Sequence, residues 1–176
     1  TISDYLGIDS LDINNLNYIR EIRPKINRNS HPNVVIIFME SVGLNRMGLV
    51  GNPLNPTPFL DSLASNGLFF SKFYIPWVST SRSVFTMLTG IPDVARRTSS
   101  RNPIVRDQYS ILSDFTDYEK YYMIGGSASW ANIRSLVTYN IKNMKLIEME
   151  DIDRPRVDVW GVSDLDLFKE ADKILK

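Results

Sequence analysis

The segment Asn33-Val34-Val35-Ile36-Ile37-Phe38-Met39 runs without a polar break from Val34 onward and stops on a carboxylate, Glu40. An uninterrupted apolar stretch rich in β-branched residues reads as a strand covered on both faces, the kind found in parallel sheets. Parallel strands need long crossover connections, usually helices, so this segment predicts an α/β layered domain. The remaining punctuation agrees. Thr57 and Pro58 open a short helix that Gly67 closes, with Pro at the first helical position. Leu68 to Tyr74 is aromatic and strand-like, Ser81 to Leu88 reads as a helix ended by Gly90, and a further helix is expected near Ile111 to Tyr118. A strand over Tyr121 to Ile124 then runs into Gly125-Gly126-Ser127, and Ser163 caps a helix from Asp164 to Leu175 whose early aspartates suit the helix dipole. The fold class expected is therefore α/β, with a largely parallel sheet and flanking helices.

Residues 1–32 are polar and Asn-rich, with a weak helical pattern ended by Pro24, and read as a lead-in to a domain over residues 33–176. The chain opens on Thr1-Ile2-Ser3-Asp4, with no initiator Met and no signal-like pattern, as expected of a processed or excised piece. Acidic and basic residues balance at a formal net charge of zero, which supplies no field to gather nucleic acid. Cysteine is absent, which removes thiolate ligands, disulfides and a cysteine nucleophile from consideration.

Ligands of open α/β sheets sit beyond the carboxyl ends of the strands. Glu40 lies there, and a carboxylate can ligate a hard divalent cation, although a solvated loop carboxylate has the same sequence signature. Thr80, in Trp77-Val78-Ser79-Thr80-Ser81-Arg82-Ser83, falls at a helix N-terminus, where unpaired N–H groups stabilise negative charge. Helix capping is the ordinary use of a hydroxyl at such a place. A threonine hydroxyl attacks poorly unless its pKa is lowered, and a cation bound by Glu40 would lower it, so the two residues make more sense together than apart. Trp130 serves packing or ligand contact equally well, and Arg96, Arg97, Arg101 and Arg106 read as a solvated polar loop.

Three ordered blocks then resemble the sulfatase-like branch of the alkaline phosphatase superfamily: Asn33 to Gly43, Thr57 to Tyr74, and Thr80-Ser81 through Phe85-Thr86-Met87-Leu88-Thr89-Gly90. Gly125-Gly126-x-x-x-Trp130 and Trp160-Gly161-Val162-Ser163-Asp164 extend the likeness, which within that branch is closest to the lipoteichoic acid synthase and phosphoglycerol transferase group. The resemblance implies that the chain is the amino-terminal part of a sulfatase-like catalytic domain. In it Glu40 would ligate a catalytic Mn²⁺ or Mg²⁺, and Thr80 would be both metal ligand and nucleophile. Trp130 would line the substrate pocket, with Arg134 a weaker substrate contact, whereas Arg82 falls out of register with the sulfatase arginine. Sulfatases carry at the position of Thr80 a cysteine or serine that becomes formylglycine, a conversion closed to threonine, which favours phosphoryl transfer.

The implied function is a transferase that moves phosphoglycerol from a lipid donor to a glycan or polyol-phosphate acceptor through a phospho-threonine. Alternatives are a sulfatase-like sulfuric-ester or phosphodiester hydrolase and a non-catalytic module. The group's Asp-His pair has no counterpart here, since His31 is the one histidine, so the remaining metal ligands are expected outside this chain and the piece alone is expected to be inactive. Membrane attachment, through segments outside the chain, and an extracytoplasmic location are implied in the same way.

Overall fold

The computed structural model describes residues 31–75, 77–93 and 108–176. The chain divides into two compact units, Thr1–Met39 and Glu40–Lys176. The expected lead-in helix and the four loop arginines fall outside the described residues.

In the first unit, residues 31–39 belong to no strand or helix. Val34, Val35, Ile36 and Ile37 are all more than half exposed. The expected doubly covered strand is thus corrected to a segment outside any strand, with its apolar side chains exposed. Composition of this kind reports the environment that side chains fit, and a strand exists only where neighbours supply a ladder. The aromatic segment over residues 68–74 departs from expectation in the same way, lying outside any strand, with Leu68, Phe73 and Tyr74 about four-fifths exposed.

The second unit holds four α-helices and two strands among the described residues: α1 (Pro58–Asn66), α2 (Thr80–Thr89), β1 (Lys120–Met123), α3 (Ile133–Asn140), β2 (Met144–Ile147) and α4 (Asp164–Leu175). β1 and β2 pair in parallel, with Tyr122 opposite Leu146, and α3 forms the crossover between them. The expected parallel α/β arrangement is present in this β1-α3-β2 unit. Instead of a helix from Ile111 to Tyr118 there is one 3-10 turn, Ile111–Asp114, where the Ser110 hydroxyl accepts from the Leu112 N–H.

The core lies between α2 and α3. Val84, Phe85 and Leu88 of α2 form a stripe at helical spacing, as do Ile133, Leu136 and Val137 of α3 with Ile141 just beyond it. Tyr122, Met144 and Leu146 close the cluster from the sheet. Each fully buried side chain of this size contributes about 1.5–3 kcal/mol. At the end of α2, Gly90 adopts φ 73° and its N–H returns to the Thr86 carbonyl, a left-handed cap that a side chain would strain.

The glycine motifs after β1 and before α4 meet backbone to backbone. Val162 N–H donates to the Gly125 carbonyl at 2.9 Å. A Cβ on Gly161, which sits at φ 128°, would lie 1.9 Å from the Gly125 oxygen, and one on Gly126 would lie 2.4 Å from the Trp160 oxygen. Neither contact can yield by rotating a side chain. Gly161→Ala should therefore cost about 3 kcal/mol, read as a lowered urea midpoint, whereas Gly51→Ala meets nothing within 4 Å and should cost only the strain of its own positive φ.

Ser163 caps α4 as expected, accepting from Asp166 N–H at 3.1 Å while its hydroxyl donates to the Asp166 carboxylate at 2.7 Å. That hydroxyl, followed by Lys169 and Arg154, holds the Asp166 pKa below its ordinary value. The stabilisation is therefore present above the ordinary carboxylate range, about pH 4, and is lost as pH falls through the depressed value. Far-UV circular dichroism should show α4 loosening in that acid window in the wild type, and Asp166→Asn should remove this component of the pH dependence.

Candidate active site

The residues leading into α2 determine what the Thr80 hydroxyl can do. Ser79 takes the N-cap position with extended backbone, and Thr80 is the first helical residue. The N-cap position considered for Thr80 is therefore held by its neighbour. Ser79 makes no side-chain cap bond, and its hydroxyl lies 3.4 Å from that of Ser81. The Thr80 hydroxyl instead donates to Glu40 Oε1 at 3.2 Å across 40 positions of sequence. Both residues belong to the unit that begins at Glu40.

Glu40 stands in a turn, and Ser41 beside it adopts φ 57°. A non-glycine residue in that region costs about 1–2 kcal/mol, and such strain gathers at functional sites. The first intrahelical bond of α2 runs from Ser83 N–H to the Ser79 carbonyl at 2.9 Å, so the N–H groups of Thr80 and Ser81 precede the helical ladder. A carboxylate and a hydroxyl in contact at a helix N-terminus combine an acceptor for a proton, a potential nucleophile and a field that favours anions.

The pair also offers two hard oxygen donors, the ligand chemistry of Mg²⁺ and Mn²⁺. Among the described residues no group of three or more His, Cys, Asp or Glu side chains gathers. Glu40 and Thr80 thus fit as part of a ligand set, to be completed by further oxygen or nitrogen donors. His31 is exposed and lies in the first unit.

Trp130 and Arg134 form a separate constellation beyond the carboxyl ends of β1 and β2. Trp130 opens a 3-10 turn whose next residues, Ala131 and Asn132, both take positive φ, and its half-exposed ring meets Trp160 edge to face at 6.1 Å. The Arg134 guanidinium is ion-paired with Glu148 Oε1, and Glu148 Oε2 accepts from Ala128 N–H at 2.9 Å. Glu148 is buried and directly follows β2; neither that strand nor the crossover helix α3 is announced by a pattern in the sequence. Had Met144 to Ile147 been recognised as a strand, the rule that placed Glu40 would have placed Glu148 too.

The pairing makes Arg134 a support for the turn that carries Trp130. Glu148→Gln should weaken that support and lower stability by about 2 kcal/mol, because the Arg134 pair and the hydrogen bond to the turn both lose a charged acceptor. Tryptophan emission, read against urea, should report the loss. Arg134→Ala should cost less at the guanidinium itself, whose side chain is 47% exposed.

A family model described as Sulfatase matches residues 32–176. Human arylsulfatase A is 42% identical over 59 residues, which are 34% of this chain and 12% of that protein. Human N-acetylgalactosamine-6-sulfatase is 33% identical over 81 residues, 45% of this chain and 15% of its own length. A solved structure of an alkaline phosphatase superfamily protein from Vibrio parahaemolyticus superposes with a TM-score of 0.64 and 27% identity, covering 73% of this chain and 32% of that one. The chain thus spans well under a fifth of the length of these sulfatases and about a third of the superposed structure. Members of this superfamily use divalent metal ions. With a matched model over most of its length and a parallel α/β fold shared with a superfamily member, this chain belongs to the sulfatase family of the alkaline phosphatase superfamily.

Proposed function

We propose that the protein is a metal-dependent enzyme that cleaves sulfuric or phosphoric esters, with Thr80 as nucleophile and Glu40 as its partner. The observation that carries this reading is the 3.2 Å contact from the Thr80 hydroxyl to Glu40 at the N-terminus of α2. The sulfatases it is similar to lend further support, because their names describe hydrolysis of sulfate esters.

In this scheme Glu40 orients the Thr80 hydroxyl by accepting its hydrogen bond, which leaves the oxygen lone pairs to face an ester. The Thr80 oxygen bonds to sulfur or phosphorus, the bond to the alcohol oxygen breaks, and the alcohol departs with a proton. Water then cleaves the threonyl ester and returns the hydroxyl, which is a two-step exchange. The N–H groups at the start of α2 stabilise charge on the non-bridging oxygens. A divalent cation held by Glu40, Thr80 and further ligands would supply the charge that lowers the hydroxyl pKa and neutralises the ester oxygens. Of the two residues at the sheet end, Trp130 presents an open ring to the substrate, and Arg134 steadies its turn.

One observation favours a second reading, transfer of phosphoglycerol from a lipid-linked donor to a glycan or polyol-phosphate acceptor at the outer face of a membrane. Position 80 is threonine, and formylglycine cannot form from it, so phosphorus is the better suited electrophile. In that reading an acceptor hydroxyl replaces water in the second step. The full-length protein with Mn²⁺, given ³²P-labelled phosphatidylglycerol, ³⁵S-labelled aryl sulfate or a labelled phosphodiester, should retain label on Thr80 with one of them. Thr80→Ala should lower turnover about 10³-fold or more, and a threonine-free label or undiminished turnover in that variant would refute the scheme. Product analysis with and without an added polyol acceptor separates hydrolysis from transfer.

A further inference from the structure

The first turn of α2 holds a charge pair that the reaction scheme does not use. Arg82 and Asp93 approach to 3.7 Å, Nε to Oδ2, with side chains only 6% and 4% exposed. The Arg82 guanidinium also lies over the Trp77 ring, its central carbon 5.0 Å from the ring centroid. From the next residue, the Ser83 hydroxyl donates to the Trp77 carbonyl at 2.9 Å. Trp77 is thus fastened by ring and by backbone to the first turn of the helix it precedes, with Val78 and Ser79 alone between it and Thr80.

Asp93 adds a second restraint. It follows the Gly90 cap, yet it reaches a residue near the start of α2, so the chain must fold back along a helix roughly 15 Å long. Both approaches to the helix, the segment entering at Trp77 and the segment leaving after Gly90, therefore close on Arg82. Its charge is countered by Asp93 in a buried setting, so its contribution to Thr80 is geometric. A planar guanidinium can stack on a ring and bridge a carboxylate at once, and an ammonium cannot reproduce both contacts.

We propose that Arg82, paired with Asp93 and stacked on Trp77, is a positioning residue that fixes the Thr80 hydroxyl in its rotamer against Glu40. The inference rests on Thr80 being the reacting hydroxyl, and it deepens that reading by naming what holds the hydroxyl in register. In this proposal Arg82 acts through Thr80 and not on the ester itself. Small displacements of a reacting group cost disproportionately, which is why the positioning is visible in rate.

The test has a structural arm and a kinetic arm, both comparing Arg82→Lys and Trp77→Leu with wild type. Trp77 is 43% exposed, so its replacement leaves the buried core intact even if the arginine variant folds poorly. Threonine methyl NMR with three-bond couplings to the methyl carbon reads the Thr80 side-chain torsion without any substrate. Wild type should show a single Thr80 rotamer and both variants should show averaging, while Thr138 on α3 stays unchanged. In full-length protein with Mn²⁺ and whichever labelled ester is turned over, kcat per folded molecule should fall about 10²-fold with KM nearly constant. An unaltered Thr80 rotamer in either folded variant would overturn the proposal, as would kcat per folded molecule close to wild type. If Thr80→Ala keeps its turnover, the nucleophile reading falls, and the rotamer measurement still decides whether Arg82 positions the hydroxyl.

Discussion

The arrangement around Thr80 and Glu40 depends on burial of one face of α2. Val84, Phe85 and Leu88 are 5% exposed or less and pack against Ile133, Leu136, Val137 and Ile141. That apolar contact is non-directional, so by itself it would fix the helix axis and leave its starting residue loosely defined. Directional contacts complete the job: Arg82 to Asp93, Ser83 to the Trp77 carbonyl, and Thr80 to Glu40. The division is physical, with hydrophobic burial supplying the free energy and hydrogen-bonded or charged groups supplying the register.

The same division recurs beyond the sheet, where a buried carboxylate organises a strained turn. Ala131 and Asn132 hold positive φ, a conformation that survives only when its surroundings enforce it. Glu148 enforces it from below by accepting from the Ala128 N–H and pairing with Arg134, and the Gly125-Gly126 backbone abuts Trp160 and Gly161 alongside. In each cluster an arginine within the first turns of a helix meets a buried acid from elsewhere in the sequence. The Arg82–Asp93 pair is buried on both sides, and such a pair adds little net stability over an apolar substitute, yet breaking it is costly, which suits a role in fixing geometry.

What the sequence made legible follows from how local each signal is. Gly90 and Ser163 act within a few residues of their own positions, and both helix boundaries stand where those residues imply. The Val34 to Met39 and Leu68 to Tyr74 segments carry a non-local message, a preference for sheet neighbours, and the described structure gives them none. β2 failed for the opposite reason: Met-Lys-Leu-Ile is short and interrupted by a lysine, and the turn before it depends on Asn143 at φ 59°. With β2 unseen, Glu148 had no strand end to mark it. Thr80 stands at the helix start that the sequence implies, whereas Glu40 was marked by a strand end that the described residues do not form; what the structure adds is the contact between the two. Trp160 and Asp93 bear on the site through distant pairings, which no local pattern encodes.

The hydroxyl at position 80 shows how little separates a capping hydroxyl from one turned to a distant partner. One position earlier, at the N-cap, extended backbone directs a side-chain oxygen back toward the N–H groups of the first turn, where it serves the helix. At the first helical position the side chain projects away from those groups, so its hydroxyl is available to an outside partner and meets Glu40. The capping serine makes no side-chain bond to the N–H groups of the helix start, whose dipole favours an anion. A shift of one residue in the helix start would hand Thr80 the capping task and take its hydroxyl off Glu40. The register of α2, more than the identity of the threonine alone, therefore decides whether this site can carry chemistry.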